Sequence, residues 1–395
     1  MAMNETSCVG DECWEFTDYG QRILIGCLLI LISLSGVFGN ALVIFSVYVS
    51  RKLRKAINVF VVNLAIADLV TCLGIVSNII ALLSRNGWPF ANWICAVSAT
   101  TLMTCLGVSL YTLGVISINR FVLITKTIED YQKIFGSKRN IIIWLSFIWI
   151  IPVCVVNVPL IIGWGEVGYN QKYHTCSDLL DTEYEHLYDI IIGLGLFPIP
   201  LITVIVCYIR IYAHIIKHAQ KLATREDPEV VSSPANTQSV TNDENGVHST
   251  SSNGNNVSSP IPSVSASAKR ATFASQRSTT ASGRRVMRRH RSIKTYLSKR
   301  QIEITKNLFY VLCAFLICIS PYLFVLLLDD KQGAPFVPYA ATILMFNSCI
   351  NWVIYATKHP YFKNIFKAIL LCRWKTIPEP IDSVREGRLL CMKCR

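Results

Sequence analysis

Seven long apolar stretches, separated by shorter polar segments, dominate the pattern of this 395-residue chain. Each is longer than the roughly 20 residues that a helix needs to cross about 30 Å of hydrocarbon. Because lipid offers no hydrogen bonds to the backbone, we predict helices here even where the stretches are rich in β-branched residues. The predicted spans cover residues 23–49, 57–83, 94–124, 141–163, 187–216, 302–328 and 335–357.

The distribution of Lys and Arg predicts the orientation of these spans. An odd number of spans places the two termini on opposite sides of the membrane. With the N-terminus outside, 34 of the 38 Lys and Arg lie inside or at inner helix ends, as is typical of cytoplasmic loops. The exceptions are Arg22, Arg85, Lys172 and Lys331. We therefore expect a multi-pass protein of the plasma membrane with an extracellular N-terminus and a cytoplasmic C-terminus.

Composition supports the same class. Only 16% of the residues are charged, whereas an average soluble domain has about 25%. We interpret the net charge of +13 as a topology signal that also favours contact with anionic membrane lipids, and we reject nucleic acid as a partner. No cofactor motif is apparent.

The polar segments divide the chain into four predicted parts. Residues 1–22 form a short acidic extracellular N-terminus without the apolar core of a cleaved signal peptide. Residues 23–357 form the membrane domain, interrupted by a Ser-, Thr- and Asn-rich insert at 218–298 that we predict to be disordered. Residues 358–372 alternate apolar and basic positions at helical spacing, which predicts an amphipathic helix at the inner interface. Residues 373–395 form a cytoplasmic tail. The fold class is thus an all-α seven-helix membrane bundle with one short interfacial helix.

Three positions are candidates for covalent modification. Asn4 lies in a glycosylation sequon on the predicted outer side. Ser292 follows a basic run and is either a kinase acceptor or part of a solvated charged segment. Cys372 directly follows the amphipathic helix and is either palmitoylated or a free cysteine.

Two of the 15 cysteines stand out by position. Cys95 begins the third span on the outer side, and Cys176 lies in the second outer loop, so both face an oxidising compartment. A disulfide between them is one option, and Cys8 and Cys13, also outside, are another pair. The sequence alone leaves other connectivities open.

A carboxylate and a guanidinium lie within the apolar spans. Asp68, in the middle of the second span, costs about 3 kcal/mol to insert and therefore needs polar partners. Candidates at similar depth are Asn40, Ser109, Asn347, Ser348 and Asn351. The cluster is either a hydrated pocket for a cation such as sodium or a static hydrogen-bond network between helices. Arg120 lies near the inner end of the third span, 25 residues from Cys95, and is either part of a switch or a snorkelling residue that sets topology.

Motifs in all seven spans resemble the rhodopsin-like (class A) G-protein-coupled receptors over about residues 23–372. The matching positions are Gly39-Asn40, Leu64-Ala65 with Asp68, Cys95, Asn119-Arg120-Phe121, Trp149, Cys176, Pro200 with Tyr208, Phe315, Cys318 with Pro321, and Asn351 with Tyr355. A neutral Asn119 before the arginine is also similar to the melatonin receptors and to the insect moody and Trapped-in-endoderm receptors. Gly163-Trp164-Gly165 and Gly168-Tyr169 are similar to that insect group too.

The resemblance implies a function and a set of roles. A heterotrimeric G protein would be activated when the inner end of the sixth span opens. The residues implied in this step are Asn119, Arg120, Phe121, Tyr208, Phe315, Pro321, Asn351 and Tyr355. Asn40, Asp68, Ser109, Asn347 and Ser348 would form a sodium pocket, and Cys95 and Cys176 would form the family disulfide. Arrestin and receptor kinases are further implied partners.

Three positions depart from the family pattern. Asn119 replaces an acidic residue, Ile319 replaces the tryptophan of the sixth span, and Trp352 replaces the proline of the seventh. We expect the loss of the acidic neighbour of Arg120 to raise basal activity.

The family positions also narrow the extracellular ligand. Leu102 stands where amine receptors carry aspartate, and Met345 stands where opsins carry the retinal lysine, which argues against both ligands. The candidate pocket, mostly apolar, favours a neutral or lipid-like ligand. It consists of Thr101, Leu102, Leu106, Ile319, Tyr322 and Thr342. The 12 acidic residues of the outer segments favour a basic peptide instead.

Two other classes are less favoured. A transporter should show internal repeats, and none is apparent in the sequence. A membrane enzyme should show a cluster of metal-binding or nucleophilic residues, but the seven histidines do not group within the spans.

Overall fold

The computed structural model describes residues 14–179, 185–226, 306, 309–325, 327–328 and 330–385. In this part of the chain, six helical stretches are long and apolar enough to cross a membrane, and a shorter apolar helix supplies the sequence of the predicted sixth span. The helices are α1 (Tyr19–Val49), α2 (Ala56–Leu83), α3 (Asn92–Thr125), α4 (Ile128–Phe135), α5 (Lys138–Ile161), α6 (Glu185–Leu196), α7 (Pro198–Glu226), α8 (Phe309–Val325), α9 (Asp330–Gly333), α10 (Val337–Lys358), α11 (Pro360–Leu370) and α12 (Asp382–Arg385).

The chain divides into two compact units. Residues 1–215 and 302–395 form the first, and residues 216–301 form the second, of which 216–226 are described as the end of α7. The helix therefore continues past residue 218, where the sequence predicted the insert to begin. The rest of the predicted disordered insert lies outside the described residues.

Within the first unit, α3 is the most buried span and packs against α2 and α5, while α1 packs along α2 and α10. We call the end of the bundle that carries Cys95 the outer end, and the end that carries Arg120 the inner end. Asp18 caps α1 by accepting hydrogen bonds from the Gly20 and Gln21 amides, which extends the helix four residues before the predicted span.

Prolines shape two of the spans. Pro152 and Pro159 lie inside α5. The predicted fifth span is interrupted at Phe197, because α6 ends at Leu196 and α7 begins at Pro198. Proline lacks the backbone N–H that would continue the upstream helix but is well suited to a helical first turn.

A β-hairpin covers part of the outer end, which the all-α prediction did not include. Strands β1 (Val167–Asn170) and β2 (Thr175–Asp178) pair antiparallel, with Tyr169 opposite Cys176. A Cys95–Cys176 disulfide joins the hairpin to α3. The Cys176 amide also donates to Asn78 Oδ1 of α2 at 2.7 Å, so the hairpin is held by two helices.

The short helix α11 confirms the predicted helix after the seventh span, but its apolar face packs on protein. Phe362, Ile365 and Phe366 are at most 3% exposed and join the core of the bundle, and Ile369 packs against the same core. Cys372, which follows, is exposed and adopts a left-handed backbone conformation (φ 54°) at the point where the chain turns back.

After this turn, the first part of the predicted tail docks on the inner end of α1. The Ile381 amide donates to the Val49 carbonyl at 3.0 Å, and Ser50 Oγ donates to the Pro378 carbonyl at 2.6 Å. Ile377, Ile381 and Val384 are buried. The remaining tail and the candidates Asn4, Cys8, Cys13 and Ser292 lie outside the described residues.

Candidate functional site

A buried polar network surrounds Asp68 in the middle of the bundle. Its side chain is 1% exposed. Asn351 Nδ2 of α10 donates to Asp68 Oδ2 at 2.7 Å, and Ser109 Oγ of α3 donates to Asp68 Oδ1 at 3.4 Å. The carboxylate therefore joins three helices, and Asn351, which the family resemblance assigned to activation, is a direct partner of it.

The other predicted sodium-pocket residues lie on α1 and α10. Asn40 Nδ2 donates to the Ser348 carbonyl at 2.8 Å, which ties α1 to α10. The Oδ1 atoms of Asn347 and Asn351 are buried and have no hydrogen-bond partner among the described residues. Two amide oxygens of the polar region thus have no donor within the part of the chain that the structure describes.

A small cavity of about 30 Å³ lies between this network and two of the candidate ligand-pocket residues. Ser109, Asn347 and Ser348 line its polar side, and Leu102 and Leu106 line its apolar side. Water needs roughly 10–15 Å³ of such space and several polar partners, so this cavity is large enough for a water or a small ion.

Two of the remaining ligand-pocket candidates have hydroxyl groups that are already hydrogen-bonded within the protein. Thr101 Oγ1 donates to the Val97 carbonyl and Thr342 Oγ1 to the Pro338 carbonyl, so each hydroxyl proton is used within its own helix. Ile319 of α8 is 1% exposed, and Tyr322 is half-buried. The pocket lining is therefore more apolar in practice than its hydroxyl groups suggest.

Trp352, which departs from the family proline, packs against α1 at a glycine. A Cβ placed on Gly39 would come within 2.0 Å of the Trp352 ring, so no larger residue fits there without rearrangement. Phe38 meets the same indole edge-on, with the ring centroids 6.0 Å apart. Gly39 and Trp352 thus form a complementary contact between α1 and α10.

Arg120 lies buried at the inner end of α3, with 2% of its surface exposed. Tyr208 of α7, Tyr131 of α4 and His359 are close enough to interact with it electrostatically. Its neighbour Asn119 is 0% exposed and donates through Nδ2 to the Tyr131 hydroxyl at 3.3 Å. Tyr131 is a contact that the sequence did not indicate.

The link from α10 to α11 closes the inner end. His359 caps α11, with its Nδ1 accepting from the Phe362 amide at 3.4 Å. Burial and, to a smaller extent, the charge of Arg120 lower the pKa of His359 to about 4, so its imidazole is neutral at physiological pH. Tyr355 stacks on Phe362 with its hydroxyl buried and without a hydrogen-bond partner in the described residues.

The other residues implied in activation are spread over α3 and α8. Phe121 is half-buried, Phe315 is fully buried, and Pro321 is half-buried within α8. Tyr208 and Phe309 bring α7 and α8 together, with their rings 5.2 Å apart.

A second buried polar contact, centred on Asn63, was not predicted from the sequence. Its Nδ2 donates to Thr112 Oγ1 at 2.8 Å, and its Oδ1 accepts from Trp149 Nε1 at 2.8 Å. One amide therefore joins α2, α3 and α5. The apolar surroundings of Asn63 were the available signal, since a buried amide needs partners.

The described residues contain no cluster of three or more His, Cys, Asp or Glu side chains that could hold a metal ion. The oxygens near Asp68 come instead from one carboxylate, hydroxyls and amides. Such hard ligands suit an alkali or alkaline-earth cation rather than a transition metal.

Comparisons with known proteins agree with this architecture. The sequence profile of the family described as "7 transmembrane receptor (rhodopsin family)" matches residues 39–355. The chain is 25% identical over 368 residues to the G-protein coupled receptor moody of Drosophila melanogaster, covering 91% of this chain and 53% of that protein. It is 23% identical over 373 residues to the melatonin receptor type 1A of Phodopus sungorus, covering 91% and 85%. The chain spans about half the length of moody.

The fold is also similar to that of squid rhodopsin. The crystal structure of that protein matches with a TM-score of 0.64 at 18% identity, covering 95% of this chain and 93% of the other.

Proposed function

Because the chain belongs to the rhodopsin family of seven-transmembrane receptors, we propose that it binds an extracellular ligand and activates a heterotrimeric G protein. The chain is a multi-pass membrane receptor rather than an enzyme. The observation that carries the proposal is Arg120, a charge buried to 2% exposure at the inner end of α3. Burial of a charge at this depth is costly, which favours a functional role over a snorkelling one.

Activation in this proposal rearranges α3, α7, α8 and α10 at the inner end. Tyr208 already lies near Arg120, while the buried Tyr355 hydroxyl lacks a partner in the described part of the chain. An unsatisfied buried hydroxyl costs about 1–3 kcal/mol, so a state that gives Tyr355 a partner would recover part of that free energy. Asn351 connects the same helix to Asp68, which couples the middle of the bundle to its inner end.

We further propose that Asp68, Ser109, Asn347 and Ser348 can hold a sodium ion. The cavity beside them and the buried Asn347 Oδ1 atom, which has no donor in the described residues, support a cation at this position. Asn40 contributes indirectly by fixing the Ser348 carbonyl. A bound cation would supply positive charge that neutralises Asp68.

The apolar lining supports a neutral or lipid-like ligand. Leu102, Leu106 and Ile319 supply the candidate surface, and the hydroxyls of Thr101 and Thr342 donate within their own helices. A basic peptide is the second candidate, which the acidic outer segments favour. Agonist potency that falls steeply with salt would distinguish the peptide from the lipid-like ligand.

The location and remaining partners follow from the same proposal. We expect the receptor in the plasma membrane with Asn4 outside and glycosylated, and with Cys372 inside and palmitoylated. The exposure of Cys372 supports its modification. Arrestin and receptor kinases would act on the active receptor, with Ser292 a candidate acceptor.

The test is ligand-free nucleotide exchange on a panel of G proteins, with the receptor in lipid nanodiscs. Arg120→Ala should reduce exchange to the level of receptor-free nanodiscs. Arg139→Ala, at an exposed arginine in the first turn of α5, is the matched control and should retain it. Equal exchange by the wild type and Arg120→Ala, at equal amounts of folded receptor, would contradict the proposal.

A further inference from the structure

The N-terminal segment Trp14–Asp18 occupies a slot at the outer end of the bundle. Phe16 is 2% exposed, although it lies in an acidic segment before the first helix. Its ring joins an apolar cluster formed by α1, α2, α3 and α10, which includes Ile25, Leu29, Ile32, Ile75, Leu82, Leu102 and Cys349. We call this space the Phe16 slot.

Aromatic rings hold the segment on several sides. Trp14 stacks on Phe16 with ring centroids 5.9 Å apart and meets Tyr173 of the hairpin turn at 6.2 Å. Phe16 meets Tyr339 of α10 edge-on at 6.3 Å. Aromatic pairs at such distances add roughly 0.5–1.5 kcal/mol beyond the area that they bury.

Backbone and polar side-chain contacts fix the segment against the hairpin. The Phe16 amide donates to the carbonyl of Lys172, in the turn of the hairpin, at 2.9 Å. Glu15 Oε1 lies 3.0 Å from His174 Nε2, and His174 Nδ1 lies 2.7 Å from the Tyr169 hydroxyl. The slot therefore contacts an aromatic ring, a main-chain amide and a carboxylate of this segment together.

His174 reaches this position through an unusual backbone. Its φ of 52° is left-handed, which costs a residue with a side chain about 1–2 kcal/mol. The ring is nevertheless held between Glu15 and Tyr169 at 8% exposure. A strained residue whose side chain forms two polar contacts is typical of a binding site rather than of a simple turn.

The receiving surface does not depend on the segment for its own support. Arg22 of α1 donates from Nε to the Leu82 carbonyl and from Nη2 to the Ser84 carbonyl, and Tyr19 donates to the Leu83 carbonyl. These bonds satisfy the end of α2, while the disulfide and Asn78 hold the hairpin. The walls of the slot are thus fixed by other contacts.

We propose that the Phe16 slot is a binding site for a short peptide segment of the form aromatic–acidic–aromatic. Residues Trp14, Glu15 and Phe16 of the chain are its tethered occupant. The slot borders the small cavity lined by Ser109 and Asn347 through Leu102 and Met345, which belong to both. This site is distinct from the inner end, and the proposal does not rest on G-protein coupling.

The test uses a fluorescent synthetic peptide with the sequence of residues 14–18 and purified receptor in lipid nanodiscs, without G protein. A receptor that lacks residues 1–16 should bind the peptide saturably. A receptor that lacks only residues 1–13 keeps the tethered segment and should bind at least tenfold more weakly. A peptide with Ala in place of Phe16 should lose binding to both.

The point variant Phe16→Ala in the full chain gives a second measurement, since it removes one ring and leaves the chain length unchanged. It should gain peptide binding relative to the wild type. Equal peptide binding by the two truncated receptors, or no gain in Phe16→Ala, would overturn the proposal. Because the readout is peptide binding alone, neither result depends on whether the receptor activates a G protein.

Discussion

Both ends of α1 carry a segment from near a chain terminus, but the two segments pack differently. At the outer end, Phe16 inserts among the helices and joins a cluster that includes Leu102. At the inner end, the docked tail pairs its backbone with that of Val49 and Arg51, at the end of one helix and the turn that follows. The outer segment therefore packs against a residue that also lines the cavity. The inner segment packs against one side of α1.

The polar side-chain contacts of the two segments differ in the same sense. His174, which pairs with Glu15, has only 10% of its side chain exposed, although the Glu15 side chain is 39% exposed. The Arg51–Asp382 pair at the inner end is 54% and 65% exposed. Because water screens exposed pairs, the Glu15–His174 contact should contribute more to the stability of the folded state than the Arg51–Asp382 pair.

The largest expected effect is that of Cys176→Ser, which releases the hairpin beneath Phe16. Loss of a disulfide between residues 81 apart should lower the free energy of unfolding by about 2–5 kcal/mol. Thermal unfolding in detergent measures this loss. Hydrogen exchange should accelerate at the Phe16 amide and stay unchanged at the Ile381 amide. Equal acceleration at both amides would show that the two ends are not independent.

Gly39→Ala should affect both ends, since it displaces the helix that supports both segments. The added methyl group would overlap Trp352 and cost about 1–3 kcal/mol. Gly193→Ala is the matched control, because a Cβ there meets no atom within 4 Å. Trp352→Leu should rescue part of the loss in thermal stability, and failure of this rescue would exclude the steric explanation.

Asn119→Asp gives the inner end a buried carboxylate beside Arg120. We expect this restraint to lower ligand-free nucleotide exchange about tenfold, which corresponds to about 1.4 kcal/mol. Asn119→Ser is the neutral control and should not produce the decrease. Unchanged exchange in Asn119→Asp would mean that Asn119 is not the cause of basal activity.

Acidification from pH 7.5 to 5.5 should destabilise both ends, because each carries a histidine whose pKa is lowered in the folded state. Burial and the charge of Arg22 lower the pKa of His174 below its usual value of about 6.5, against the opposing effect of Glu15. Since the folded state then binds fewer protons, stability present above pH 6.5 is lost as the pH falls towards this lower pKa. The pKa of His359 is about 4, so stability at the inner end is likewise present above pH 6.5 and lost as the pH falls towards 4.

Hydrogen exchange at the Phe16 and Phe362 amides, corrected for the intrinsic effect of pH, distinguishes the two histidines. His174→Gln should remove the pH dependence at Phe16. The same variant should leave the pH dependence at Phe362 unchanged, and pH dependence that persists at Phe16 would contradict the assignment.

Asp382→Ala should have the smallest effect. Both members of the pair with Arg51 are exposed, so the loss should be under about 1 kcal/mol and should vanish at high salt. The Ile381–Val49 backbone bond and the buried Ile381 side chain would keep the tail in place. A large decrease in thermal stability would show that charge, rather than apolar packing, holds the inner segment.

The spans could be predicted from sequence because lipid imposes both their length and their helical state. Their ends could not be placed as well, since α1 begins at Tyr19 through the Asp18 cap and α7 continues to Glu226. The hairpin was missed because its strands have four residues each and are stabilised by a disulfide and Asn78 rather than by strand propensity.

The polar site was predicted only as a set of candidates. The depth of Asp68 indicated that it needs partners, but depth does not determine which helix faces turn towards it. Asn351 and Ser109 face the carboxylate, whereas Asn40 faces a carbonyl of α10. The burial of Phe16 could not be predicted, because a single aromatic residue in an acidic segment can be exposed to solvent as readily as it can be buried between helices.

The tryptophan at position 352 affects how α10 can move. With tryptophan in place of proline, no proline interrupts the helix after its first turn, so its hydrogen-bond ladder runs unbroken from the outer to the inner end. Tyr339, which touches Phe16, and Tyr355, which stacks on Phe362, lie 16 positions apart, or about 24 Å along one rigid rod. A displacement imposed at the Phe16 slot would therefore reach the inner end as rotation or translation of the whole rod, with no hinge to absorb it.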